Sequence, residues 1–210
     1  MKKLITITIL LLAVVACKKE NNPINKFKET IDNVKEAKQN LNNVSEIVKG
    51  VEDVQKNVEK LSKLTPVSKE QIKAWMPKEL GDLKRTKYEI GKQLGYVKIS
   101  NVNLEFNTED KNKLFRVKVI DGAGAGASFI SVFVLMQNAD VDSEDQTGYE
   151  RTETFDNQKV LVKYSNSKYN NKSKLNYLIN NRFLIEATGW KMKPDEVWNY
   201  LKKLEIENIN

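Results

Sequence analysis

The chain has 210 residues, a formal net charge of +7, 40% hydrophobic residues and 30% charged ones, enough for one ordinary domain and an appendage with much solvated surface. It contains no histidine, which removes imidazole bases, Ser-His-Asp triads and histidine metal ligands, and its single cysteine, Cys17, excludes an internal disulfide and a cysteine metal cluster. Its basic residues are mostly lysines interleaved with acids, not an arginine-bearing stripe with aromatics between, so nucleic acid is not an expected partner.

The N-terminus reads MKKLITITILLLAVVAC. Lys2 and Lys3 precede an apolar stretch, Leu4 to Ala16, that fits the 7–15 residues or so of a signal-peptide core and falls short of the ~20 a spanning helix needs. Val14-Val15-Ala16-Cys17 resembles the lipobox of bacterial lipoproteins. That resemblance implies cleavage before Cys17, a diacylglyceryl group on its thiol and a further acyl chain such as palmitate on the new amino terminus. Residues 1–16 are then the signal peptide and Cys17 the membrane anchor, with each buried CH₂ worth about 0.8 kcal/mol. Lys18, where an Asp would favour inner-membrane retention, implies the outer membrane, facing the periplasm. The other reading is an ordinary secretory peptide with a chance cysteine, which leaves a free thiol in an oxidising compartment.

Residues 17–23 read as a polar tether and residues 24–64 as an amphipathic helical segment. From Phe27 through Ile31, Val34, Ala37, Leu41, Val44, Ile47, Val51, Val54, Val58, Leu61 and Leu64 the apolar steps are threes and fours, one stripe near the heptad period. Gly50 is a weak point at which the helix could break. The stripe allows a coiled-coil stalk or self-association, docking on the chain's own domain, or binding along the membrane surface.

Residues 66–210 read as an α+β domain. A short helix capped by Ser68 precedes strands at Thr86–Leu94, Tyr96–Asn107 and Lys113–Ile120, with a turn near Gly81. The apolar run Ala125–Met136 predicts a buried helix. An acidic loop, NADVDSEDQTG, leads to strands Tyr149–Phe155 and Lys159–Tyr164 around an Asp156-Asn157-Gln158 turn, then to a second hairpin around Asn180-Asn181. Pro194 opens a last helix whose Val197, Trp198, Leu201 and Leu204 share a face. Tight hairpins predict a mainly antiparallel sheet of about seven strands, with the two larger helices covering one face. The motifs LKRT (Leu83–Thr86), DGAGA (Asp121–Ala125), GYERT (Gly148–Thr152) and RFLIEA (Arg182–Ala187) resemble those of a set of uncharacterised bacterial envelope proteins. This implies a recurring fold and brings no activity or ligand.

The stretch DGAGAGASFISVFVLM, strand then glycines then helix, has the setting of a dinucleotide fingerprint. Gly122 and Gly124 supply G-x-G and Ala127 the third position, but antiparallel hairpins follow in place of a βαβ crossover, and no Lys-Ser or Lys-Thr marks a P-loop. The glycines therefore read as a packing turn, with Gly122, Gly124 and Gly126 retained as a candidate anion site at a helix N-terminus. Arg85, Arg116, Arg151 and Arg182 each fall at or in a strand; Arg151 and Arg182 are the candidate clamp for a carboxylate or phosphate, against cross-strand pairing with Glu. Asp140, Asp142, Glu144 and Asp145 miss the EF-hand pattern, Glu150, Glu153 and Glu186 have no fixed separation, and Trp75, Trp190 and Trp198 read as core or rim. No catalytic residue, metal site or cofactor is expected. The expectation is a non-enzymatic envelope lipoprotein with a structural or protein-interaction role, self-associating or binding an envelope protein through residues 24–64; the alternative is a carrier of a small molecule or lipid between the Ala125–Met136 helix and the sheet.

Overall fold

The computed structural model describes residues 44–91, 99–137, 140–166 and 171–209. Cys17, the expected signal peptide, the expected tether and residues 24–43 lie outside them. Four α-helices occur among the described residues: α1 (Val44–Ser62), α2 (Lys69–Trp75), α3 (Ala127–Gln137) and α4 (Pro194–Lys202). The strands are β1 (Glu79–Leu80), β2 (Leu83–Ile90), β3 (Asn101–Asn107), β4 (Leu114–Asp121), β5 (Asp142–Asp145), β6 (Gly148–Phe155), β7 (Gln158–Ser165), β8 (Lys172–Ile179) and β9 (Phe183–Trp190). They form one sheet in the order β1-β2-β3-β4-β9-β8-β7-β6-β5, with antiparallel pairing at every junction. Two meanders thus meet at β4 and β9, and α3 carries the chain between them.

The α+β class and the antiparallel sheet hold, but nine strands replace the expected seven. Glu79–Leu80 and Leu83 pair across a turn in which Gly81 has φ +67°, where only a turn was expected. Asp142–Asp145 lies inside the expected acidic loop, yet it pairs with β6 as an exposed edge strand. Aspartate disfavours strands, but an edge strand buries nothing, and its charges discourage pairing with another chain. The hairpin turns follow local chemistry. Asp156 and Asn157 sit at φ 46° and 65°, the left-handed values a two-residue turn demands, and Asn180 and Asn181 sit at 52° and 51° in the three-residue turn between Ile179 and Phe183.

The helices cover both faces, which corrects the expectation of one. Inward residues of the central strands, among them Leu104, Phe106, Phe115, Val117, Leu175, Ile185 and Ala187, pack under α2 and α4 in the main core. The opposite side chains Ile120, Leu178 and Leu184 pack with Ala127 and Ile130 of α3 and with Val54, Val58 and Leu61 of α1. One-sided packing leaves a mixed strand such as β4 with a bare apolar end, and α1 closes it. Helix α1 runs through Gly50 unbroken, and its buried stripe docks on its own domain. Among the described residues no helix is long and apolar enough to cross a membrane.

Local signals explain the helix ends. Ser68 and Gln71 form a reciprocal capping box on α2. Pro194 occupies the first turn of α4, followed by Asp195 and Glu196 at the positive end of the helix dipole. Helix α3 is apolar on nearly every side, as an element wedged between α1 and a sheet must be.

Candidate functional site

At the glycine turn the chain supplies its own anion. Asp121, 3% exposed, ends β4. Its carboxylate accepts from the backbone N–H of Ala123 at 2.9 Å and of Val67 at 2.8 Å. Arg182 completes the set from Nε at 2.8 Å and Nη2 at 3.0 Å, and donates again to Thr65 O at 3.3 Å. The bidentate pair raises the guanidinium's pKa, its hydrogen bond to Asp121 being the main cause. The glycines allow the approach. A Cβ on Gly122 would stand 2.5 Å from Ile130 Cγ1, and one on Gly126 2.2 Å from Asp121 O, while Gly124 has φ +58°. Gly122, Gly124 and Gly126 thus surround a clasp that joins β4, the β8–β9 turn and the segment after α1.

Arg151 lies elsewhere. It stands in β6 with its guanidinium 4.2 Å from the Tyr149 ring centroid and Nη2 2.7 Å from Glu144 Oε2 of β5. Burial, then Glu153, push the Tyr149 phenol up to about 12. Three strand spacings, about 14 Å, separate β6 from β9, so Arg151 and Arg182 do not form one clamp. Arg116 pairs with its cross-strand neighbour Glu105 at 2.7 Å, and Arg85 donates to the carbonyls of Met76 and Pro77. Two of the four arginines therefore make the cross-strand Glu pairs that were the alternative.

The candidate carboxylates are also dispersed. Glu150 meets Lys163 at 2.8 Å and Glu186 meets Lys118 at 3.1 Å, each across one strand boundary, while Glu153 lies on the α4 side beside Tyr149. Asp145 accepts from Thr147 N and Oγ1 and from Gly148 N, which pull its pKa down and close the β5–β6 turn. No group of three potential metal ligands occurs among the described residues. Trp75 donates to the Leu204 and Glu205 carbonyls, and Trp198 to Asp156, as core and rim residues do.

Trp190 departs from that pattern, and it marks the surface that sequence reasoning missed. On the α1–α3 side of the sheet, the two helices reach only the end near Ile120, Leu178 and Leu184. Beyond it the register aligns Glu105, Arg116, Thr188, Lys174, Lys163 and Glu150 in one row across six strands. Next to this row the half-buried Trp190 ring has Arg116 5.0 Å from its centroid and Lys172 4.9 Å. Lys174 stands opposite Lys163, a like-charge pair that costs free energy, and of the two only Lys163 has a carboxylate partner among the described residues. The surface is a row of cations ended by carboxylates, beside one aromatic ring. The signal was present in the polar alternation of β4, β8 and β9, but pairing order was needed to read it. Under α3, by contrast, a void lined by Phe133, Leu161, Leu178 and Leu184 measures about 20 Å³.

No family model matches the chain. No curated protein matches it either. Among solved structures it is similar to a GTP-binding regulator from Thermotoga maritima, at 13% identity and a TM-score of 0.32, over 64% of this chain and 81% of that one. A score this low carries no argument about fold or function.

Proposed function

We propose that this chain is a bacterial envelope lipoprotein, anchored through lipid on Cys17, whose domain is a non-catalytic protein-interaction module. The anchor rests on the lipobox-like Val14–Cys17 stretch. The interaction role rests on one observation: Trp190 held between Arg116 and Lys172 on the part of the α1–α3 face that lies beyond the two helices. Tryptophan and arginine dominate binding hot spots, and ion pairs such as Arg116–Glu105 fix the geometry before a partner arrives. The stretch 24–64 is a narrower candidate for partners than its periodicity suggests, because Val54, Val58 and Leu61 are spent on the chain's own core. The carrier reading draws no support from the helix–sheet interface, since about 20 Å³ holds a water molecule and not a lipid.

Native mass spectrometry of the protein extracted gently from its host membrane tests the reading. Wild type should carry an acyl mass at Cys17 and a bound protein partner. Cys17→Ser should lose the acyl mass and the membrane association. The double variant Arg116→Ala, Trp190→Ala should keep the lipid and lose the partner. An unmodified Cys17, or a partner retained by the double variant, would overturn the corresponding half.

A further inference from the structure

On the opposite face, a cleft of about 440 Å³ opens between the outer ends of β7 and β8 and the chain leaving α4. That volume suits a small organic molecule. Tyr177 and Ile179 of β8 line one side, Trp198 and Leu201 of α4 the other, and Ile206 of the final 3-10 turn (Ile206–Asn208) joins them. The aromatic wall is set in advance. The Trp198 ring lies 5.2 Å from both Phe155 and Tyr177, and its indole N–H donates to Asp156 Oδ2 at 2.8 Å.

The rim is acidic, with Asp156, Glu205 and Glu207 against Lys202. Asp156 and Lys202 neutralise each other at 3.3 Å, and hydrogen bonds from Trp198 and Lys202 hold the Asp156 carboxyl below its ordinary range. Glu205 accepts from Asn208. Glu207 is exposed and makes no ion pair among the described residues. A second observation points into the same cleft. Tyr177 is 5% exposed, yet its hydroxyl makes no hydrogen bond among the described residues. The ring is buried but its oxygen opens on the cleft, where a donor can reach its lone pairs. Burial, and then the charge of Glu207, keep this phenol protonated.

We propose that the cleft binds an alkylammonium, its nitrogen donating to the Tyr177 oxygen and the Glu207 carboxylate and its hydrocarbon body lying against Ile179, Trp198 and Ile206. An ammonium has three donors for these two acceptors. The aromatic faces attract a cation and do not attract a neutral group of the same shape. An anion of the same size meets Glu207 and is repelled. The same chemistry arrives either as a free amine or as a lysine side chain of another protein.

The full-length protein in a non-ionic detergent is titrated with pentylammonium, pentan-1-ol, pentanoate and Nα-acetyl-lysine amide. Affinity is read by calorimetry, and the site by the NMR shift of the Trp198 indole N–H, identified through Trp198→Phe. Pentylammonium should move that signal and bind about tenfold more tightly than the alcohol, the order that one charge pair with a cation–π contact supplies. Glu207→Gln, at an exposed position, should erase the preference. Tyr177→Phe keeps the ring and should weaken ammonium binding. Binding of the lysine amide at least as tight as that of pentylammonium identifies a side chain as the source, and weaker binding a free amine. Equal affinity for cation, alcohol and anion, an unmoved Trp198 signal, or an unchanged preference in Glu207→Gln would overturn the proposal.

Discussion

Asp121 shows how one buried charge can organise a turn. Its carboxylate holds Val67, 54 residues away in sequence, and Arg182, 61 residues away. Removing one partner strands the other, so Arg182→Ala should cost about 3 kcal/mol in urea unfolding, the low end for a broken buried pair because two backbone N–H groups remain. Gly126→Ala should cost about 2 kcal/mol in the same measurement, since its Cβ would collide with Asp121 O. The glycines were legible as a tight turn, because conformational freedom is a local property. Asp121 was not, because nothing local distinguishes a carboxylate that meets a distant guanidinium from one that meets water. Asp110 is the contrasting case, with local partners only. Thr108 Oγ1 foremost, then Asn112, lower its pKa from 3.8 to about 2. A depressed folded-state value means that its contribution to stability is complete above 3.8 and disappears as pH falls toward 2. A carboxyl-carbon NMR titration should place its midpoint near about 2, and Thr108→Val should move the midpoint upward.

Among the elements, the helices and hairpins were the most legible. The run Ala125–Met136 becomes α3 (Ala127–Gln137), and both Asn-bearing turns join the strands expected of them. Their determinants are periodicity and left-handed turn residues, which act over a few positions. Strand β5 was illegible because its pairing overrides the poor strand propensity of Asp and Glu, with Glu144 and Asp142 set beside Arg151. Helix α1 was legible as a stripe but not as a destination, since one apolar face fits a second helix, a membrane surface or its own domain equally well. Leu61, 2% exposed in that contact, decides how firmly the helix is held. Leu61→Ala should cost about 3 kcal/mol. It should also speed amide exchange in α1 ahead of the sheet, because Asn57 Nδ2 to Asn181 O at 2.9 Å is the main polar tie left.

For the whole molecule, the folding unit begins before residue 66. A chain starting at residue 43 retains α1 and sets the reference midpoint in denaturant unfolding. One starting at residue 65 should lose on the order of 5 kcal/mol, because Ile120, Ile130, Leu178 and Leu184 are bared when Val54, Val58 and Leu61 go. Equal midpoints for the two truncated chains would show that α1 is an ornament on a self-sufficient sheet. By itself the sequence determined what depends on neighbours along the chain: an apolar N-terminal stretch ending at a lone cysteine, the alternation of the strands, the turns between them, and hence an antiparallel α+β domain. Only the tertiary structure decided the strand order that puts β4 beside β9, the split of helices between two faces, the capture of α1, and the gathering of Trp190 with its cations and of Tyr177 with Trp198. Each of these depends on pairing and packing between segments tens of residues apart, and apolar attraction without direction specifies that burial occurs but not against which partner.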